Sequence, residues 1–435
     1  VLFMLPSCVP ATPLDESGAN LDYRAIDSFY DHPRVQGLAE MMNFVGTING
    51  DPQVVEKIVA SQAHHKKIDG HAPDLVGNDL NAYIAAGVYS DHECHDIDDA
   101  IAKLQRGQFI MIREGTAARN LEALAPLLCD KYVERCMFCT DDKHPNDLLE
   151  KGHIDYIVKK AISLGADPIT AIKAACHHAS RYFLLNNRGA IAPGYLADFA
   201  VIDNFKDFNV EMVFKKGILY WNNGELRDFE APKIEEYLDK RAHDTFHVST
   251  LTPDDFRDTR QRGVLGMVPG EIITTDNGYA DHGDLEKDIL KIAVVERHKG
   301  THHIGLGYIQ GYGLKSGAVA TSISHDSHNI IVVGTNSADM AFAANYIVEH
   351  HGGIVVVENG TVKGDVVLEI AGIMSDRPLT EVNDQLEAAK DAAFTLGVSR
   401  GIDPFMTLSF MALPVIPKLR ITTRGVIDVD TQQYV

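Results

Sequence analysis

A chain of 435 residues with 45% hydrophobic and 23% charged content is long enough for two or three domains with sizeable cores. Its formal charge of -21 argues against a nucleic-acid partner, because phosphate binding needs clustered Lys and Arg. No apolar run approaches the roughly 20 residues of a membrane span, and the six cysteines, all in the first half, do not resemble a secreted disulfide framework, which points to a reducing cytoplasm.

Residues 1–5 (VLFML) are apolar and run straight into Pro6, with no charged region before them and no cleavage site after them. They read as a strand rather than a signal peptide, and they lead us to expect further sequence upstream. Short apolar runs follow at 35–40 (VQGLAE), 68–71 (IDGH), 87–92 (GVYSDH), 109–114 (FIMIRE) and 137–141 (MFCTD). Patterns of helical period stand between them, notably at 54–65 and 148–165. Strand alternating with helix is the pattern of a parallel sheet with crossover connections, here six strands of a (β/α) barrel that needs eight.

From Gly189 the text changes to short strands with glycine turns, RGAIAPGYLADFAVID and then VEMVFKKGILYWNNGEL, which predict a small β-layer. A charged, mostly helical connector (KIEEYLDKRAHDTF) leads to a last region mixing strands such as KIAVVER, NIIVVG and GIVVVENG with two helices. The fold class expected is therefore α/β: an incomplete TIM-type barrel over 1–186, part of a small β-sandwich over 187–232, and a mixed α/β domain over 233–435. The Gly-rich stretch GLGYIQGYGLKSG (305–317) lacks the strand-to-helix register of a dinucleotide fingerprint and reads as a flexible loop or hairpin.

Glu40, His71, His92 and Asp141 stand at the ends of four different apolar runs. In a parallel barrel the C-terminal strand ends carry the chemistry, and a charged or imidazole group there costs free energy unless paired or metal-bound. A single such histidine is ordinarily a satisfied core residue; four strand-end groups point to a metal or catalytic site. Imidazoles with carboxylates suit Mn, Fe or Zn, and ions so held lower the pKa of a bound water. Arg113-Glu114 ends the fifth run, either as an ion pair or for substrate orientation. Cys136-Met-Phe-Cys139 on a strand would point its thiols to opposite faces, so packing is the better reading than a zinc site.

The order Glu, His, His, Asp on successive strands resembles the later half of the amidohydrolase metal site. Longer phrases are similar to the adenine deaminases of that superfamily: PSCVPATPLDESGA (6–19), DGHAPDLVGNDLNAYIAAGVYSDHE (69–93), MIREGTAARNL (111–121), FCTDDKHPNDLL (138–149) and SISHDSHNIIVVGTN (322–336). The resemblance implies a cytoplasmic homo-oligomer that hydrolyses adenine to hypoxanthine and ammonia in purine salvage, with a binuclear centre of Mn²⁺, or of Fe²⁺ or Zn²⁺. It assigns Glu40 as the bridging carboxylate, His71 and His92 as ligands of the second metal, and Asp141 as ligand of the first metal and proton shuttle. Glu93 is then a proton carrier to the ring or a contact that orients a ligand, and Asp142 a structural or substrate-facing neighbour. Arg113 keeps both readings above, and the compact polar turn HDSH leads us to expect that His325 helps close the site over the base. The His-x-His pair that the superfamily places on its first strand occurs nowhere in this sequence. Rival expectations are another amidohydrolase acting on a cyclic amide or amino-heterocycle, and a catalytically silent fragment.

Overall fold

The computed structural model describes residues 1–116, 118–257, 260–268 and 271–435. The chain forms two compact units, one of Val1–Ser7 with Leu21–Pro232 and the other of Cys8–Asn20 with Lys233–Val435. The proline-rich segment Cys8–Asn20 thus groups with the C-terminal residues, although in sequence it follows the first strand. Among the described residues no helix is long and apolar enough to cross a membrane.

All six apolar runs of the first unit are extended: β1 (Phe3–Leu5), β2 (Val35–Met41), β3 (Lys67–Gly70), β4 (Ser90–Asp91), β5 (Phe109–Arg113) and β6 (Cys136–Cys139). They pair in parallel as two three-stranded ladders, β1-β2-β3 and β4-β5-β6. Across the seam between β3 and β4, Tyr89 N–H donates to the Ile68 carbonyl at 2.9 Å. The crossovers include α1 (Pro52–Ala63), α2 (Gly77–Ala85), α3 (Ile97–Gln105) and α4 (Ile154–Ser163). Their starts follow from local chemistry: Asp51 caps α1 ahead of Pro52, and the Asp96 carboxylate accepts from Asp99 N–H at the head of α3. Two apolar clusters hold the helices to the strands, one around Leu38, Ile68 and Leu80 and one around Ile110, Ile112 and Leu124. All six of those side chains are fully buried, each stabilising the fold by about 2 kcal/mol.

The helix expected over 148–165 is broken in two, Pro145–Glu150 and then Ile154–Ser163. Gly152 adopts a left-handed φ of 106°, where a side chain would meet the Asp155 carboxylate, so the helical period continues through a break that only glycine makes easily. Downstream, β7 (Phe199–Ile202), β8 (Val210–Lys215), β9 (Ile218–Asn222) and β10 (Glu225–Leu226) form an antiparallel layer. Its hairpins turn at Lys216-Gly217 and Asn223-Gly224, both with positive φ, the two-residue geometry that matches strand twist.

The second unit is built on an eight-stranded mixed sheet, flanked by α5 (Ser337–Glu349) and α6 (Leu379–Thr395). In chain order its strands are β11 (Arg262–Met267), β12 (Thr274–Ala280), β13 (Ile289–Val295), β14 (Ile304–Gln310), β15 (Ala318–Thr321), β16 (Ile330–Gly334), β17 (Gly353–Glu358) and β18 (Thr361–Val367). Met340, Ala343 and Ala344 of α5 pack with one set of strand residues, and Leu386, Ala389 and Ala393 of α6 with another. The loop or hairpin expected at 305–317 begins instead as a strand inside this sheet: β14 pairs with both β11 and β13. Its glycines allow close backbone approach, since a Cβ on Gly305 would fall 1.9 Å from the Thr422 carbonyl and one on Gly307 2.5 Å from Val426.

Candidate metal centre

Each strand-end residue leaves its ladder where the parallel strands stop. Glu40 is next to last in β2, His71 directly follows β3, His92 directly follows β4, and Arg113 ends β5. Asp141 lies two residues beyond β6, in a left-handed conformation with φ 57°. Backbone contacts hold these ends in place. His71 N–H donates to the Tyr83 hydroxyl at 3.0 Å, which itself donates to the Met41 carbonyl at 2.8 Å, tying the end of β3 to the end of β2.

The side chains converge. Glu40 Oε2 lies 3.1 Å from His71 Nδ1 and 3.1 Å from His92 Nε2. Glu93 Oε1 lies 3.4 Å from His71 Nδ1 and 3.2 Å from His92 Nε2. The two imidazoles sit edge to face with centroids 5.4 Å apart. Ligand atoms of Glu40, His71 and His92 all fall within 4.8 Å of one another, and so do those of His92, Glu93 and Asp141. Arg113 closes the group: it grips Glu93 with both terminal nitrogens, and its Nη1 donates to Asp141 Oδ2 at 2.6 Å.

Three carboxylates meet one fixed cation here, so the pocket carries excess negative charge. The titration behaviour follows. Burial opposes ionisation of Glu40 and Glu93, but the histidines outweigh it, with Arg113 adding to the effect at Glu93, and both carboxyls stay well below the usual range. Burial opposes charging of His71 and His92 as well, yet Glu40 and Glu93 raise both imidazoles above the ordinary value, His92 furthest. Two neutral imidazoles and a carboxylate oxygen at mutual hydrogen-bond distance are a donor set suited to a divalent cation, whose charge would replace those two protons. The residues therefore fit a metal.

Of the residues singled out in the sequence, Glu40, His71, His92, Glu93, Arg113 and Asp141 form this one cluster. The Asp142 carbonyl accepts from Thr116 N–H at 2.8 Å, joining the loop after β6 to the loop after β5. His325 belongs to the second unit, where its ring stacks on Phe410 at 4.9 Å and its Nδ1 lies 3.5 Å from Asp326. Cys136 and Cys139 both occupy β6 as free thiols, and burial pushes each up to about 12. Sequence reasoning missed Asn120, a buried amide whose Oδ1 accepts from Arg113 N–H at 2.8 Å. Its Nδ2 donates to the carbonyls of His92 and Cys94 at 3.0 and 2.8 Å. An asparagine in a polar loop carries no signal of its own; only the fold brings it between two strand ends.

The amidohydrolase family matches residues 1–219, and the adenine deaminase C-terminal domain matches residues 271–433. An adenine deaminase of Desulfatibacillum aliphaticivorans is 44% identical over 443 residues, covering 100% of this chain and 77% of the relative. Adenine deaminases of Dehalococcoides mccartyi and Kosmotoga olearia are 44% and 43% identical, each over 99% of this chain and 76% of theirs. With the α/β fold, the strand-end cluster and similarity along its whole length, the chain belongs to the adenine deaminase family of amidohydrolases.

Proposed function

We infer that this chain hydrolyses adenine to hypoxanthine and ammonia, a step of purine salvage, at the cluster around His71 and His92. The observation that carries the reading is the meeting of Glu40, His71 and His92 within 4.8 Å at the ends of β2, β3 and β4. The two ladders are six strands of a (β/α) barrel, followed by a sandwich portion and the C-terminal domain. Glu40, His71, His92 and Asp141 would hold the metal, Mn²⁺ by preference with Fe²⁺ or Zn²⁺ as alternates, in a binuclear centre. Bound there, the metal supplies Lewis-acid activation of the attacking water.

The chain's own residues do the rest. Asp141 takes the proton of the attacking water at its carboxylate and delivers it to the amine leaving C6, a poor leaving group without that proton. Arg113 aims Asp141 by its hydrogen bond to Oδ2 and keeps the carboxylate from swinging out to solvent. Glu93, buried and gripped by Arg113, faces both imidazoles and fixes their rings; its ionised state suits that role better than donating a proton to the purine. Arg113 and Asp142 remain the substrate-facing residues of this reading.

Assay of the Mn²⁺-supplemented chain on adenine, adenosine, cytosine and hydantoin tests it. Adenine alone should turn over, and Glu40→Gln should lose both bound metal and activity. Hydrolysis of hydantoin or cytosine in preference to adenine would sink the substrate assignment.

A further inference from the structure

His71 and His92 directly follow β3 and β4, which belong to separate ladders, so regular strand pairing does not set the distance between them. A buried ion cluster spans that seam. Lys103, on α3, has no solvent exposure, and its ammonium donates to the Ala72 carbonyl at 2.8 Å. Ala72 is the residue after His71. The same ammonium lies 2.6 Å from Asp91 Oδ2 and 2.9 Å from Asp99 Oδ2. Asp91 is the residue before His92, is equally buried, and its Oδ1 accepts from Glu93 N–H at 2.8 Å.

One cation thus grips the backbone just past one histidine and the side chain just before the other. Burying it is expensive, and two carboxylates and a carbonyl are committed to offsetting that cost. A core that needed only filling would place an apolar side chain here at lower cost. We propose that Lys103, acting with Asp91, is a positioning residue that sets the spacing of His71 and His92 for metal binding. The proposal rests on the metal-centre reading above and adds a residue that touches neither metal nor substrate.

The test must separate positioning from bulk stability, because Lys103→Met alone leaves Asp91 buried without its partner. The double variant Lys103→Met/Asp91→Asn removes one positive and one negative charge, preserves the net charge of the cluster, and keeps an amide oxygen for Glu93 N–H. Full-length wild type and double variant are titrated with Co²⁺. The d–d absorption reports ligand geometry, and competition with a chromophoric chelator reports affinity. The expected result is a double variant that melts within a few degrees of wild type but binds Co²⁺ about 10–100-fold more weakly with an altered spectrum. Wild-type affinity and spectrum in the double variant would overturn the proposal. So would failure of the double variant to fold, since the network would then hold the unit rather than the site. A wild-type chain that takes up no Co²⁺ would fell the metal-centre reading itself, and this proposal with it.

Discussion

Two half-buried histidine pairs, one in each unit, sit under opposite charge. His71 and His92 lie among Glu40, Glu93 and Asp141, and both are drawn toward the protonated state. His298 and His328 lie beside Arg297, whose Nε donates to the His328 carbonyl. Burial, with Arg297 adding to it, pushes His298 down to about 4; burial, with His325 and Arg297 adding to it, pushes His328 down to about 3. The nearby carboxylate of Glu296 is committed to the backbone N–H groups of Lys299 and Thr301, at 2.8 and 3.1 Å. Among the described residues, the groups of side chains able to hold a metal all lie in the first unit. Half-buried imidazole is common to both places; carboxylates that face the imidazoles are what suit one of them to a cation.

The contrast breaks first at Asp141. Asp141→Asn keeps the hydrogen-bond geometry toward Arg113 but cannot carry a proton, so kcat on adenine should fall on the order of 10²–10⁴-fold with little change in KM. A loss below tenfold, measured by ammonia release, would remove Asp141 from proton transfer. The next effect is on stability. Mn²⁺ at a hundred times its Kd should stabilise the chelator-treated protein by about 2.7 kcal/mol in urea denaturation. His92→Ala should abolish that gain and His298→Ala should retain it. The reverse outcome would place the cation with the wrong histidines.

The strand ends were legible because they break a pattern: a histidine or glutamate closing an apolar run, as in IDGH or VQGLAE, conflicts with burial unless something pairs it. The partners were less legible. Asn120 and Lys103 sit on segments of ordinary polar or amphipathic text, and their roles depend on which strand ends the fold brings beside them. Gly305 and Gly307 misled for a related reason: glycine in a loop and glycine in a strand crowded by Thr422 and Val426 look alike until the neighbouring backbone is known. The break at Gly152 shows the same limit on helical periodicity, which persists through the gap between two helices.

The last test concerns Asp15, a buried carboxyl of the second unit. Its Oδ2 accepts from the Ser327 hydroxyl and its Oδ1 from Glu16 N–H, bonds that favour the ionised form. Burial opposes them more strongly, with Asp326 and Glu16 adding repulsion, and Asp15 is pushed up to about 7. Between pH 4 and 7 the folded chain therefore holds a proton that the unfolded chain has released. Stability from this group is fully present below about pH 4 and is lost as pH rises through 7, at most about 1.4 kcal/mol for each unit of pH. His298 and His328 run the other way, losing stability as pH falls from about 6.5 toward their depressed values, so the wild-type profile alone would mix both effects. Asp15→Asn isolates one of them. The amide still accepts from Ser327 and carries no charge at any pH, while the histidines titrate alike in both proteins. The stability difference between Asp15→Asn and wild type, from urea denaturation between pH 4 and 8, should start near zero or slightly unfavourable and grow in the variant's favour until it levels off above pH 7. A difference that stays constant with pH would mean that Asp15 ionises freely where it lies, and that the second unit tolerates buried negative charge as readily as the first.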